Sequence, residues 1–140
     1  MGTNPIGHID LRVRDLKSAI SFYDELLPAV GYDRTDHGSE WKIWAAGDVP
    51  LGAPWVAMIE DAEHRANANR IAFWVDSRTA VDSVGRLLRE IGATIESGPR
   101  QCDEYSDAYY AVFFEDPSGN KLEVVHRTPS TDPCPPAGAP

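Results

Sequence analysis

His8-Ile9-Asp10-Leu11-Arg12-Val13 sets a pattern that Arg70-Ile71-Ala72-Phe73-Trp74-Val75 repeats. An amphipathic run follows each stretch and closes at Gly31 in the first copy and Gly92 in the second. A period of about 60 residues is too long for a solenoid array, so the repeat marks a duplicated module that pairs with its twin. In the first stretch Ile9, Leu11 and Val13 alternate with His8, Asp10 and Arg12, the period-two signature of a strand with one apolar face. His8 and Arg70 fall at matching points of the two copies, so one module offers a metal-ligating side chain where the other offers a permanent cation.

The runs between these strands read as helices. Asp15 can cap the first by accepting from its free N–H groups, and Leu16, Ala19, Ile20, Tyr23, Leu26, Leu27 and Val30 keep the 3/4 spacing of one buried stripe. Pro28 weakens the last turn and Gly31 supplies a left-handed stop. Trp41–Ala45 and Trp55–Ile59 read as paired strands around a Gly- and Pro-rich turn from Ala46 to Pro54, with Glu60 to Asn69 as the connector between modules. In the second copy Asp76 or Ser77 caps a helix whose stripe is Val81, Val84, Leu88 and Ile91, with Leu87 alongside. Thr94–Glu96 is expected as a short strand and Gly98–Asp107 as a polar loop. Tyr109–Glu115 and Lys121–His126 are expected as a hairpin around Asp116-Pro117-Ser118-Gly119-Asn120, where Pro117 presets φ and Gly119 accepts a positive one. The order is strand, helix, then two or three strands, performed twice. From residue 129 to 140 Pro, Ser, Thr and Gly dominate, so that tail is expected to stay disordered.

At 140 residues the chain suits one domain with a real core. A formal charge of −9 and a pI near 4.7 argue against nucleic acid and anionic membranes as partners. No stretch approaches the roughly 18 apolar residues of a membrane span, and the first residues lack the basic and apolar regions of a signal peptide. Cys102 and Cys134 form no CxxC motif and read as reduced thiols of a cytoplasmic protein.

Alternation then sorts the ionisable groups. With Ile9, Leu11, Val13, Ile71, Phe73, Val75, Leu122 and Val124 against the helices, the opposite sheet face carries His8, Asp10, Arg12, Arg70, Ala72, Trp74, Lys121, Glu123 and Val125. Two such faces side by side would curve into a shared trough. Charges buried there must be paired or must bind something. Trp74, Tyr105, Tyr109 and Phe113 are candidates for its walls, since ligand sites are usually lined by apolar and aromatic groups. His126 falls on the helix side and reads as structural, while His37 and His64 read as solvated. Cys102 has no histidine placed beside it to make it a nucleophile.

The run from His8 to Leu16, with Phe22-Tyr23 and Gly31-Tyr32, and above all the run from Tyr109 to Glu123 through Asp-Pro-Ser-Gly-Asn, resembles the vicinal oxygen chelate superfamily. That group holds glyoxalase I, bleomycin- and fosfomycin-resistance proteins and extradiol dioxygenases. The resemblance spans about residues 6–127. It implies an α+β fold of paired βαβββ modules, about 5–62 and 68–127, forming a curved, mostly antiparallel sheet around a central trough within one domain of residues 1–128. It also implies a small oxygenated substrate or ligand, a homodimer, and in catalytic members one divalent metal (Zn, Ni, Fe or Mn) acting as a Lewis acid. His8 matches the first ligand position and Glu123 the last. The middle position is Arg70, which has no lone pair to give, and Glu60 is the nearest candidate for a fourth ligand. Two readings follow. In one, a weakened metal site uses His8 and Glu123 for glyoxalase- or dioxygenase-like chemistry. In the other, the trough is metal-free, with Glu123 as base and Arg70 as oxyanion anchor, or with both simply holding a sequestered molecule.

Overall fold

A computed structural model describes residues 5–47 and 53–128. The tail expected from 129 to 140, Cys134 with it, and the centre of the Ala46–Pro54 turn lie outside these residues. Two compact units divide the chain: residues 1–68 with 116–120, and residues 69–115 with 121–140.

The first unit runs β1 (His8–Val13), α1 (Leu16–Ala29), β2 (Arg34–His37), β3 (Trp41–Ala45) and β4 (Trp55–Glu60). The strands form one sheet in the order β1-β4-β3-β2, with β1 parallel to β4 and the other pairs antiparallel. Asp15 caps α1, its carboxylate accepting from Ser18 N–H at 3.0 Å. The helix buries Leu16, Ala19, Phe22, Tyr23, Leu26 and Leu27. Phe22 thus takes the place expected of Ile20 in the buried stripe. Gly31 carries the left-handed stop at φ +100°. Trp44, fully buried, donates to Asp24 at 3.0 Å, and Lys42 closes the same carboxylate at 2.8 Å.

The second unit repeats the plan: β5 (Arg70–Trp74), α2 (Arg78–Glu90), β6 (Thr94–Gln101), β7 (Tyr109–Glu115) and β8 (Lys121–Arg127), in sheet order β5-β8-β7-β6 with β5 parallel to β8. Ser77 rather than Asp76 caps α2. Val81, Val84 and Leu88 pack inward with Gly85, while Leu87 and Ile91 are half-buried. The fold is therefore α+β and made of two βαβββ modules, and strand pairing gives each module its own four-stranded mixed sheet.

Two elements escape alternation. The strand β2 is Arg-Thr-Asp-His, a polar edge strand with no apolar period to read. The strand β6 continues to Gln101 through a segment expected to be loop. Its pairing with β7 slips twice, between Ile95 and Ser97 and between Ser97 and Arg100. These irregularities seat Gly98 at φ +88° and Pro99 inside an edge strand, where both residues are tolerated.

Candidate functional site

The face of the second sheet turned away from α2 gathers the charged and aromatic residues. Register places Ala72, Glu123 and Phe113 side by side, then Trp74, Val125 and Ala111, then Arg127 and Tyr109. Glu123 lies at its centre and is only 5% exposed. Its Oε1 accepts the Tyr109 hydroxyl in a short hydrogen bond. Its Oε2 takes no hydrogen bond among the described residues. Burial raises the Glu123 carboxyl above the usual range, and the Tyr109 hydrogen bond, Arg70 and Arg127 pull it partly back. The Tyr109 phenol is pushed up by burial and by the same carboxylate.

Around this carboxylate Cys102, Ala111, Phe113 and Val125 form a buried cluster on which Tyr105 and Tyr109 pack. The two tyrosine rings stack at 4.8 Å. Burial raises the Cys102 thiol above its ordinary value. Three expected wall residues, Tyr105, Tyr109 and Phe113, are thus brought together. Trp74 is placed differently: it is 52% exposed and lies under the Arg127 guanidinium, 4.5 Å from the ring centroid.

Arg70 pairs with Glu96 and makes no ion pair with Glu123 among the described residues. Its guanidinium lies over Phe113, 5.2 Å from the centroid, and donates to the Leu122 carbonyl and to Glu96, each at 2.8 Å. Glu96 spends its other oxygen on Lys121 at 2.8 Å. Burial pushes the Glu96 carboxyl up, but the hydrogen bonds of Lys121 and Arg70 outweigh it and hold it below its ordinary value. Among the described residues two of Arg70's five N–H donors are used.

The remaining candidates have other employment. His8, in the first unit, is exposed, and its ring stacks on Trp55 at 4.6 Å with 5° between the planes. Glu60 helps to cap α1, its Oε2 accepting the Leu16 N–H at 2.9 Å. His64 is half-buried and bonds Asn120 at 2.8 Å, and the half-buried His126 contacts the Val75 carbonyl at 3.0 Å. Among the described residues no three His, Cys, Asp or Glu side chains gather to hold a metal ion.

The model of the Glyoxalase/Bleomycin resistance protein/Dioxygenase superfamily matches residues 5–124. The chain belongs to that superfamily. A Bacillus subtilis (strain 168) relative, "Uncharacterized protein YqjT", is 28% identical over 84% of this chain and 95% of its own length. A solved structure of a candidate glyoxalase from Bacillus halodurans is also 28% identical, with TM-score 0.70 over 87% of this chain and 95% of that one. A variant of the fosfomycin resistance protein FosX from Listeria monocytogenes, solved with Mn(II) and 1S,2S-dihydroxypropylphosphonic acid, shares the fold. Its identity is 19% and its TM-score 0.63, over 88% of this chain and 90% of that one. As a superfamily member the chain carries a fold used on small molecules. Among the described residues no helix is long and apolar enough to cross a membrane.

Sequence reasoning missed Glu96 and Arg127. Glu96 sits where β6 slips register, so alternation could not assign its face. Arg127 follows the last residue read as strand, although the same alternation carried two residues past Val125 would have found it.

Proposed function

We propose that this glyoxalase-like chain takes a small oxygenated molecule at the face of the second sheet turned away from α2 and acts on it without a divalent ion. The observation that supports this is Glu123: a carboxylate 5% exposed, one oxygen satisfied by Tyr109 and the other without a partner among the described residues. An acceptor left open at that depth is suited to a ligand proton. In the reaction, the C–H bond beside a carbonyl breaks, its proton passes to Glu123, and the electron pair moves to the carbonyl oxygen as an enolate. The unused N–H donors of Arg70 hold that oxygen. Arg70 in place of a metal-ligating histidine makes the metal site of the catalytic relatives incomplete here. The same reading includes a cytoplasmic homodimer. A sequestering protein is the second reading, favoured because Tyr109 already occupies one oxygen of the base.

Small 2-oxo aldehydes and hydroxy ketones in D2O with excess EDTA provide the test. Exchange of the hydrogen beside the carbonyl, followed by NMR, should occur with the wild type. It should fall about 10²-fold or more in Glu123→Gln. Binding with no exchange supports sequestration. Exchange that appears only with added Mn, Zn, Ni or Fe and vanishes in His8→Ala overturns the metal-independent reading.

A further inference from the structure

Four guanidinium groups in the second unit lie over aromatic rings: Arg70 and Arg100 over Phe113, Arg78 over Tyr110 and Arg127 over Trp74. The first three are also tied by hydrogen bonds, Arg70 to Leu122 and Glu96, Arg78 to Gln101, and Arg100 to Ser97, Gln101 and Glu104. Arg127 makes no hydrogen bond or ion pair through its guanidinium among the described residues, although its contact with the ring, at 4.5 Å, is the closest of the four. Stacking fixes the plane of a guanidinium without using its N–H groups, which all lie in that plane. Arg127 therefore sits over Trp74 with no N–H of its guanidinium spent on a partner among the described residues. Its register partner is Tyr109, whose hydroxyl reaches Glu123, and Arg127 and Glu123 share one face of β8.

We infer that Arg127, seated on Trp74, is the anchor for a carboxylate group of the ligand, so that the molecule bound is a short carboxylic acid carrying a hydroxyl or carbonyl oxygen a few carbons away. The carboxylate forks onto Arg127 and the distant oxygen meets Glu123 and Arg70. An acid of this kind satisfies both ends of the row, whereas a neutral molecule leaves Arg127 unpaired. The inference rests on the site proposed above and adds the charge of its ligand.

Three probes separate the two claims: 4-hydroxybutyrate, its amide 4-hydroxybutyramide, and butyrate, each titrated calorimetrically and by the indole N–H signal that is missing in Trp74→Phe. The hydroxy acid should bind about tenfold tighter than the amide, and this preference should disappear in Arg127→Gln and be partly kept in Arg127→Lys. The exposed position of Arg127 at a strand end leaves these variants folded, which circular dichroism checks. Equal binding of acid and amide, an Arg127→Gln variant that keeps the preference, or no binding of the acid to wild type at millimolar concentration overturns the anchor. Loss of the hydroxyl preference alone, with 4-hydroxybutyrate and butyrate alike, instead counts against the Glu123 site and leaves the anchor standing.

Discussion

A carboxyl group that burial shifts upward keeps its proton to a higher pH in the folded chain than in the unfolded one. Its stabilising contribution is then fully present below the unfolded value and is lost as pH rises through the folded one. For Glu123 this means a cost at neutral pH. Glu123→Gln, which cannot ionise and can still accept from Tyr109, should melt higher than wild type at pH 7. The difference should narrow as pH falls through the ordinary carboxylate range, and calorimetry across pH 4–7 reads it directly. A Gln variant that melts lower at pH 7 would place the weight on the Tyr109 hydrogen bond instead. The position of Glu123 was legible because it ends a specific hairpin motif. Arg70 was legible as a departure from the usual ligand, but not its true partner Glu96, since a contact between the two edge strands of a four-stranded sheet leaves no local trace in sequence.

At the scale of elements, the Asp116–Asn120 turn shows what a motif can conceal. Composition reads it as a tight hairpin, and it is one. Its aspartate is also a buried hub accepting four hydrogen bonds: from the Tyr23 hydroxyl, the Ser118 and Asn120 N–H groups and the Asn120 amide. Ser118 accepts from the Arg14 N–H and Asn120 donates to the Arg12 carbonyl, both at 2.9 Å. Asp116→Ala should cost about 3 kcal/mol by denaturant unfolding, since it orphans several buried donors at once. Tyr23→Phe should cost only about 1 kcal/mol. Gly98 offers a second test. A Cβ there would run into the Ala111 carbonyl oxygen, and its φ of +88° already disfavours any side chain. Gly98→Ala should therefore destabilise by about 2 kcal/mol or more in denaturant unfolding. The same segment defeated sequence reading, because Gly-Pro is a turn signal nearly everywhere except inside a bulged edge strand.

For the whole molecule, the duplicated plan and both helices follow from apolar periodicity, while the polar strand β2 does not. The donor set bears on the chain's response to metals. A divalent ion bound only by the folded state at a hundred times its dissociation constant would add about 2.7 kcal/mol of stability. In a chain of this size that is a shift of several degrees in melting temperature. Titration with Mn, Zn, Ni or Fe(II) should leave the melting temperature unchanged, and a saturable rise lost in His8→Ala would contradict the reading. Finally, the turn at residues 116–120 belongs to the first unit although it is the last loop the chain makes there. Tyr23, Arg12 and Arg14 wait about a hundred residues for their partners. On a ribosome the first unit thus emerges unfinished, and its closing contacts arrive only after most of the second unit has been made.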